Sequence, residues 1–190
     1  MIFSTVGKVI VTVGLLLVLP LLTAVIYGEW RCALAFGVTI AGALALGSLT
    51  VLTLKPRNMI FFSKEGFITV AMCWMVASLV GAVPLVVSGE FTSYIDALFE
   101  IVSGLTTTGA SVVPNVEVLS KSILFWRSFS HWIGGMGVIV FIMAITARAP
   151  DRSMHILRAE MPGPIIDKLV PRSKDTAKIL YLIYLSLIHI

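Results

Sequence analysis

The chain has 190 residues, 58% of them hydrophobic and 13% charged, with a mean hydropathy of +1.01 and a formal net charge of +4. Soluble domains average roughly 45–50% apolar and about 25% charged residues, so the composition excludes a water-soluble globule and calls for a bilayer as solvent. The basic residues fall in short loops between apolar runs, and no basic stripe interleaved with aromatics appears, which excludes a nucleic-acid-binding module.

A helix needs about 20 apolar residues to cross the hydrocarbon core. Four charge-free stretches meet that length: Val9 to Gly28, Cys32 to Leu54, Gly66 to Gly89 and Ser128 to Ala147. A fifth apolar run begins at Ile179 and reaches the last residue, Ile190. The first stretch is too long for the apolar part of a secretory signal and has no small-x-small cleavage site; Pro20 within it predicts a kink. In the second, Ala33, Gly37, Ala41 and Ala45 recur every fourth residue. That spacing predicts a seam for close packing of two membrane helices. Cys32 and Cys73 read as small hydrophobes, not as a disulfide framework.

Orientation follows from lysine and arginine. With the N-terminus cytoplasmic, only Arg31, Lys121 and Arg127 of the 14 basic residues lie outside, an asymmetry that satisfies the positive-inside rule. Glu29, Glu90, Asp96, Glu100 and Glu117 then face outward, and an acidic outer mouth concentrates cations.

The stretch between the third and fourth spans, containing FTSYIDALFEIVSGLTTTGASVVPN, is too short and too polar to cross. Both flanking spans have their adjoining ends outside, so the stretch must dip in and return on one face. Ser93 with Asp96 marks a helix start, Tyr94, Ala97, Leu98 and Ile101 give an apolar face at helical spacing, and Ser103-Gly104 predicts the stop. Ten residues, roughly 15 Å, reach about half way through the membrane. The loop that follows, Thr106, Thr107, Thr108, Gly109 and Ala110, has the composition of an ion filter. Non-helical backbone at that depth is tolerated where it is buried in protein or lines a wet cavity, and potassium filters replace the ion's hydration shell with backbone carbonyls. Consecutive carbonyls face one axis only in an alternating, partly left-handed backbone, which Gly109 permits. The alternative is a Thr-rich surface turn; the half-helix and the same-side return weigh against it.

Other groups carry less. Asp96 and Glu100 are candidates for the pore entrance, where Glu100 either tunes the field, pairs with Arg127, or bonds nearby backbone groups half-solvated. Gly134, Gly135 and Gly137 allow close helix packing or a bend, with packing preferred. A Ser–His hydrolase built on Ser103, Ser130 and His131 fails because Ile101 stands where the nucleophile turn needs glycine; His131 reads as a helix–helix hydrogen-bonding residue. No cofactor-binding fingerprint or metal-ligand spacing occurs in the sequence.

The runs Ala97-Leu98-Phe99-Glu100 through Ser103 to Ala110, Phe125-Trp126-Arg127-Ser128, His131-Trp132-Ile133-Gly134-Gly135-Met136-Gly137, Arg158-Ala159-Glu160, Gly163-Pro164, Pro171-Arg172 and Thr176-Ala177 together resemble the TrkH/TrkG-type potassium uptake proteins of the Trk/Ktr/HKT superfamily. The resemblance implies an all-α membrane fold of helix–pore-helix–helix repeats. On it, residues 1–58 form a leading helix pair, 59–148 a first repeat, 149–178 a cytoplasmic linker and 179–190 the start of a second repeat, making the chain an N-terminal fragment. It further implies potassium as the transported ion, held at Thr107, Thr108 and Gly109 with Thr106 and Ala110 beside them. It also implies a bacterial inner membrane location, a homodimer at full length, and a cytoplasmic TrkA-type nucleotide-binding regulatory subunit. Ala110 stands where potassium channels carry a second filter glycine, which implies weaker rejection of sodium. The rival expectation is a non-transporting membrane scaffold.

Overall fold

The computed structural model describes residues 2–53 and 63–146, together with residues 182 and 186. The predicted linker, the basic loop from Lys55 to Arg57 and, apart from residues 182 and 186, the start of a second repeat lie outside the described residues. Among those described, all regular structure is helical: α1 (Ile2–Leu16), α2 (Val18–Ile26), α3 (Trp30–Thr53), α4 (Ser63–Val87), α5 (Tyr94–Leu105), a 3-10 turn (Val116–Val118) and α6 (Lys121–Thr146). Among the described residues, three helical spans are long and apolar enough to cross a membrane: Ser4–Ile26, which joins α1 and α2, Trp30–Thr53 and Ile68–Val87.

The junction of α1 and α2 falls at Leu17, one turn ahead of Pro20, whose ring clashes with the carbonyl four residues earlier. The turn into α3 is closed by Gly28 at φ 71°, where Glu29 N–H reaches back to the Ala24 carbonyl at 2.8 Å. This is a Schellman end, with glycine in the left-handed position that suits it.

The close seam between α1 and α3 differs from the expected one. Cys32, Ala35, Phe36, Thr39, Ala43 and Gly47 are the buried face of α3 together with Ala33, while Ala41 and Ala45 are exposed. A β-carbon at Gly47 would lie 2.6 Å from a Val11 methyl, and one at Gly14 would lie 3.1 Å from that of Ala43. The small residues that pack are therefore Ala35, Thr39, Ala43 and Gly47, again every fourth position but on a rotated face. Glycines on α1 select that register.

The core runs from this pair through α4 and α5 to α6, where Cys73, Leu85, Ile101, Ile123 and Trp126 are buried. Within α4, Pro84 has no N–H to offer the Val80 carbonyl. The carbonyls on either side accept side-chain donors instead: Leu79 from the Tyr94 hydroxyl at 2.8 Å and Gly81 from Trp126 Nε1 at 2.9 Å. The disturbed turn thus anchors both α5 and α6.

The first turn of α6 meets the two carboxylates of the same end. Glu29 accepts from the amides of Lys121 (2.7 Å) and Ser122 (3.0 Å) and from the Ser122 hydroxyl, and Glu90 accepts from Ser120. The α2–α3 turn, the end of α4 and the start of α6 therefore share one end of the bundle. The segment from Phe91 to Ser120 leaves and re-enters there. Lower down, α6 is not one straight rod: Gly137 has φ 70° and ψ 148°, so the fourth charge-free stretch is broken there.

Candidate ion-path loop

α5 starts where Ser93 and Asp96 predict, with the Ser93 hydroxyl accepting from the Asp96 amide at 3.5 Å. It ends later than predicted. The helix continues through Ser103-Gly104 to Leu105, 12 residues in all, or roughly 18 Å. Gly104 serves packing, not termination: a β-carbon there would lie 2.0 Å from Ser130 Oγ of α6. Gly134 completes the contact, since a β-carbon on it would sit 2.1 Å from the Leu105 carbonyl oxygen. Of the three predicted α6 glycines, Gly134 is thus a packing residue, Gly137 sits at the break, and Gly135 is exposed.

The end of α5 is a Schellman turn, in which Thr107 N–H donates to the Gly104 carbonyl and Thr108 N–H to that of Ser103, both at 2.9 Å. The left-handed position is Thr107 at φ 56°, the one non-glycine residue with positive φ among those described. Gly109, at φ 76°, is the second left-handed residue two positions on, and its N–H also points to the Ser103 carbonyl, at 3.4 Å. Three successive amides, those of Thr107, Thr108 and Gly109, thus aim back at α5. In a trans peptide the carbonyl points opposite to the N–H of its own plane, so the carbonyls of Thr106, Thr107 and Thr108 are turned together away from the helix. Ala110 differs: its carbonyl accepts from Ser103 Oγ at 2.6 Å and faces back toward α5.

Side chains stitch the returning strand to the helix. Glu100 is 1% exposed. One oxygen accepts from the Ser111 hydroxyl at 2.5 Å and the Val112 amide at 2.7 Å, and the other meets Arg127 Nε at 2.6 Å. Of the roles expected for Glu100, both pairing with Arg127 and bonding to a nearby backbone group, the Val112 amide, are present, and the carboxylate is buried rather than half-solvated. Asp96 is exposed in the first turn of α5, at the far end of that helix from the loop. Among the threonine hydroxyls, Thr106 Oγ1 lies 2.8 Å from Thr108 Oγ1 and 2.7 Å from the Val102 carbonyl.

His131 Nδ1 bonds the Arg127 carbonyl of its own helix at 2.9 Å, so this nitrogen carries the hydrogen and does not bridge helices as expected. Nε2 faces the loop, 3.9 Å from where a β-carbon on Gly109 would lie. Ser130 donates to the same Arg127 carbonyl at 2.6 Å. The contact levels set the depth. His131 and Gly134 lie about 10 and 13 residues into α6, roughly 15–20 Å from its N-terminal end, a length comparable to half of a hydrocarbon core near 30 Å thick. Sequence reasoning passed over Ser111 and read Ser103 only as part of a helix stop and of a rejected hydrolase. The signal was the one-turn spacing of Glu100 and Ser103, two polar residues on the inward face of an otherwise apolar short helix.

A half-helix ending mid-bundle, a loop with two left-handed residues and a helix returning to the same end define a helical membrane protein with a re-entrant loop. The chain belongs to the TrkH family of cation transport proteins, whose family model matches residues 34–190. It is 41% identical over 184 residues to the Trk system potassium uptake protein TrkH of Salmonella typhimurium, covering 96% of this chain and 38% of that protein. With the Trk system potassium uptake protein TrkG of Escherichia coli it shares 36% identity over 167 residues, covering 87% of this chain and 34% of that protein. The crystal structure of the potassium transporter TrkH from Vibrio parahaemolyticus superposes with a TM-score of 0.75 at 31% identity, across 98% of this chain and 38% of that one. The chain thus spans less than two-fifths of the length of these relatives.

Proposed function

We propose that the chain contributes to potassium transport across the bacterial inner membrane as part of a Trk-type uptake system. In this reading residues 1–58 are the leading helix pair, 59–148 the first helix–pore-helix–helix unit, 149–178 a cytoplasmic linker and 179–190 the start of the next unit. The loop from Thr106 to Ala110 is one wall of a selectivity filter, with Thr107, Thr108 and Gly109 holding potassium, Thr106 and Ala110 beside them, and the carbonyls that turn away from α5 replacing water around the ion. The observation that carries the reading is the pair of left-handed residues, Thr107 and Gly109, half way down α6. Together with three amides bonded back to α5, they support a row of carbonyls facing the ion path. The C-terminal end of α5, with its partial negative charge, favours a cation there. Kinship with potassium uptake proteins supports potassium as substrate, a cytoplasmic N-terminus, a TrkA-type nucleotide-binding regulatory partner and a homodimeric assembly.

The test is potassium uptake by the natural-length protein in cells lacking other uptake systems, with Gly109→Ser beside it. A side chain at φ 76° forces the loop to rearrange, so discrimination against sodium is expected to fall about tenfold or more, which corresponds to ~1.4 kcal/mol. Unchanged selectivity at normal protein level refutes the filter.

A further inference from the structure

From the geometry we infer that Glu100, with Ser111 and Arg127, is a positioning clamp that sets the width of the ion-path loop and so its preference for potassium over sodium. This rests on reading Thr106 to Ala110 as a filter wall.

Four observations carry the inference. Glu100 and Ser103 stand one turn apart on α5 and both reach the returning strand: Ser103 holds the Ala110 carbonyl and Glu100 holds Ser111 and the Val112 amide. The strand from Ala110 to Val112 is therefore fixed to α5 at three successive residues. The loop from Thr106 to Gly109 hangs between that fixed strand and the end of α5, so moving the strand moves the carbonyls. Second, Arg127 of α6 takes the remaining Glu100 oxygen at 2.6 Å, which locks the clamp to a second helix. Third, the Arg127 carbonyl receives both Ser130 and His131, and Ser130 is the residue packed on Gly104. The clamp and the end of α5 are thus seated on the same turn of α6. Fourth, the Glu100 side chain is wholly buried beside the guanidinium, so its charge is cancelled locally. It cannot serve as a bare anion drawing cations to the mouth, and its effect passes through Ser111 and Val112.

The two roles separate in transport kinetics. An attractor sets the KM for potassium; a positioning clamp sets the ratio of potassium to sodium transport. In the natural-length protein, Ser111→Ala removes the hydroxyl that donates to Glu100 and accepts from the Val113 amide, at an exposed residue, and leaves every charge in place. It is expected to lower potassium-over-sodium discrimination several-fold with little change in the potassium KM. Glu100→Gln is expected to lower it further, because its amide opposes Arg127. The double variant Glu100→Gln with Arg127→Gln, which restores a neutral donor–acceptor pair, is expected to recover part of the loss. Ser111→Ala with unchanged discrimination overturns the clamp, whether or not Glu100→Gln accumulates in the membrane. A change in potassium KM alone overturns it as well. If Gly109→Ser abolishes selectivity while Ser111→Ala is silent, the clamp fails and the filter stands; if Gly109→Ser is silent too, both fail.

Discussion

Thr107 is a β-branched residue at φ 56° in the left-handed position of a helix end. The same position is filled by glycine at Gly28 after α2, with φ 71°, and by Gly89 after α4, with φ 83°. Those glycines close their turns without steric cost. A threonine there costs on the order of 1–2 kcal/mol and persists only because its surroundings hold it. Its amide bond to the Gly104 carbonyl and the neighbouring Thr106–Thr108 hydroxyl pair do the holding. Strain kept at one site and relieved at two equivalent ones points to a role for the side chain, and stiffness at χ1 is what a β-branched residue adds. Thr107→Gly should therefore raise the thermal stability of the detergent-solubilised protein, by about 1 kcal/mol. The same change should loosen the loop and lower potassium-over-sodium discrimination. A melting temperature unchanged or lowered in that variant contradicts the strain assigned to this residue.

At the scale of elements, Glu29 ties the turn between α2 and α3 to the helix that follows the loop. Its carboxylate caps the first turn of α6, where exposed amides and the helix dipole favour an anion. Partial burial works to raise its pKa, but the bonds from the Ser122 hydroxyl and the Ser122 and Lys121 amides outweigh it and hold the carboxyl below the ordinary glutamate value. A group whose pKa is lowered on folding stabilises the fold above its unfolded pKa, near 4.3. That contribution is lost as pH falls through the lowered value. Glu29→Gln should therefore melt earlier than the parent at pH 7, by ~1 kcal/mol at most for a group this near water. The gap between the two should close as the pH is taken below about 4; a gap constant with pH contradicts the charged cap. Glu29 was legible only as one of several outward acids, because its partners lie over ninety residues away. The start of α5 was legible because Ser93 and Asp96 act locally. Its end was not: Ser103-Gly104 has the composition of a stop, while the smallness of Gly104 answers to Ser130 on another helix. The α3 seam was misread for the same reason. Two registers of small residues compete on that helix, and Gly7, Gly14 and Val11 on α1 decide between them. Local chemistry was readable, and of the polar contacts across the bundle only the Glu100–Arg127 pair was among the expectations.

For the molecule as a whole, one end is defined by contacts and the other by charge. The Glu29–Ser122 and Glu90–Ser120 bonds gather three turns at one end of the bundle. That end holds Arg31 and Lys121 among few basic residues, whereas eleven of the 14 are assigned by the sequence pattern to the opposite side. Positive charge is retained on the cytoplasmic face, so in the orientation proposed above the end with the re-entrant loop is expected to be the outer one. In that orientation an acidic excess would concentrate cations at the mouth of the loop. This makes the orientation a condition of function: with the bundle inverted, the loop would open to the cytoplasm and the basic linker would be stranded outside. Val118, 79% exposed in the turn ahead of α6, tests it. In a background with Cys32 and Cys73 replaced by alanine, Val118→Cys should react with a membrane-impermeant maleimide added to intact spheroplasts. Lys174→Cys, in the basic linker, should react only after the membrane is permeabilised. The reverse pattern would place the loop on the cytoplasmic side, and uptake through the proposed filter would then require ions to meet the loop last instead of first.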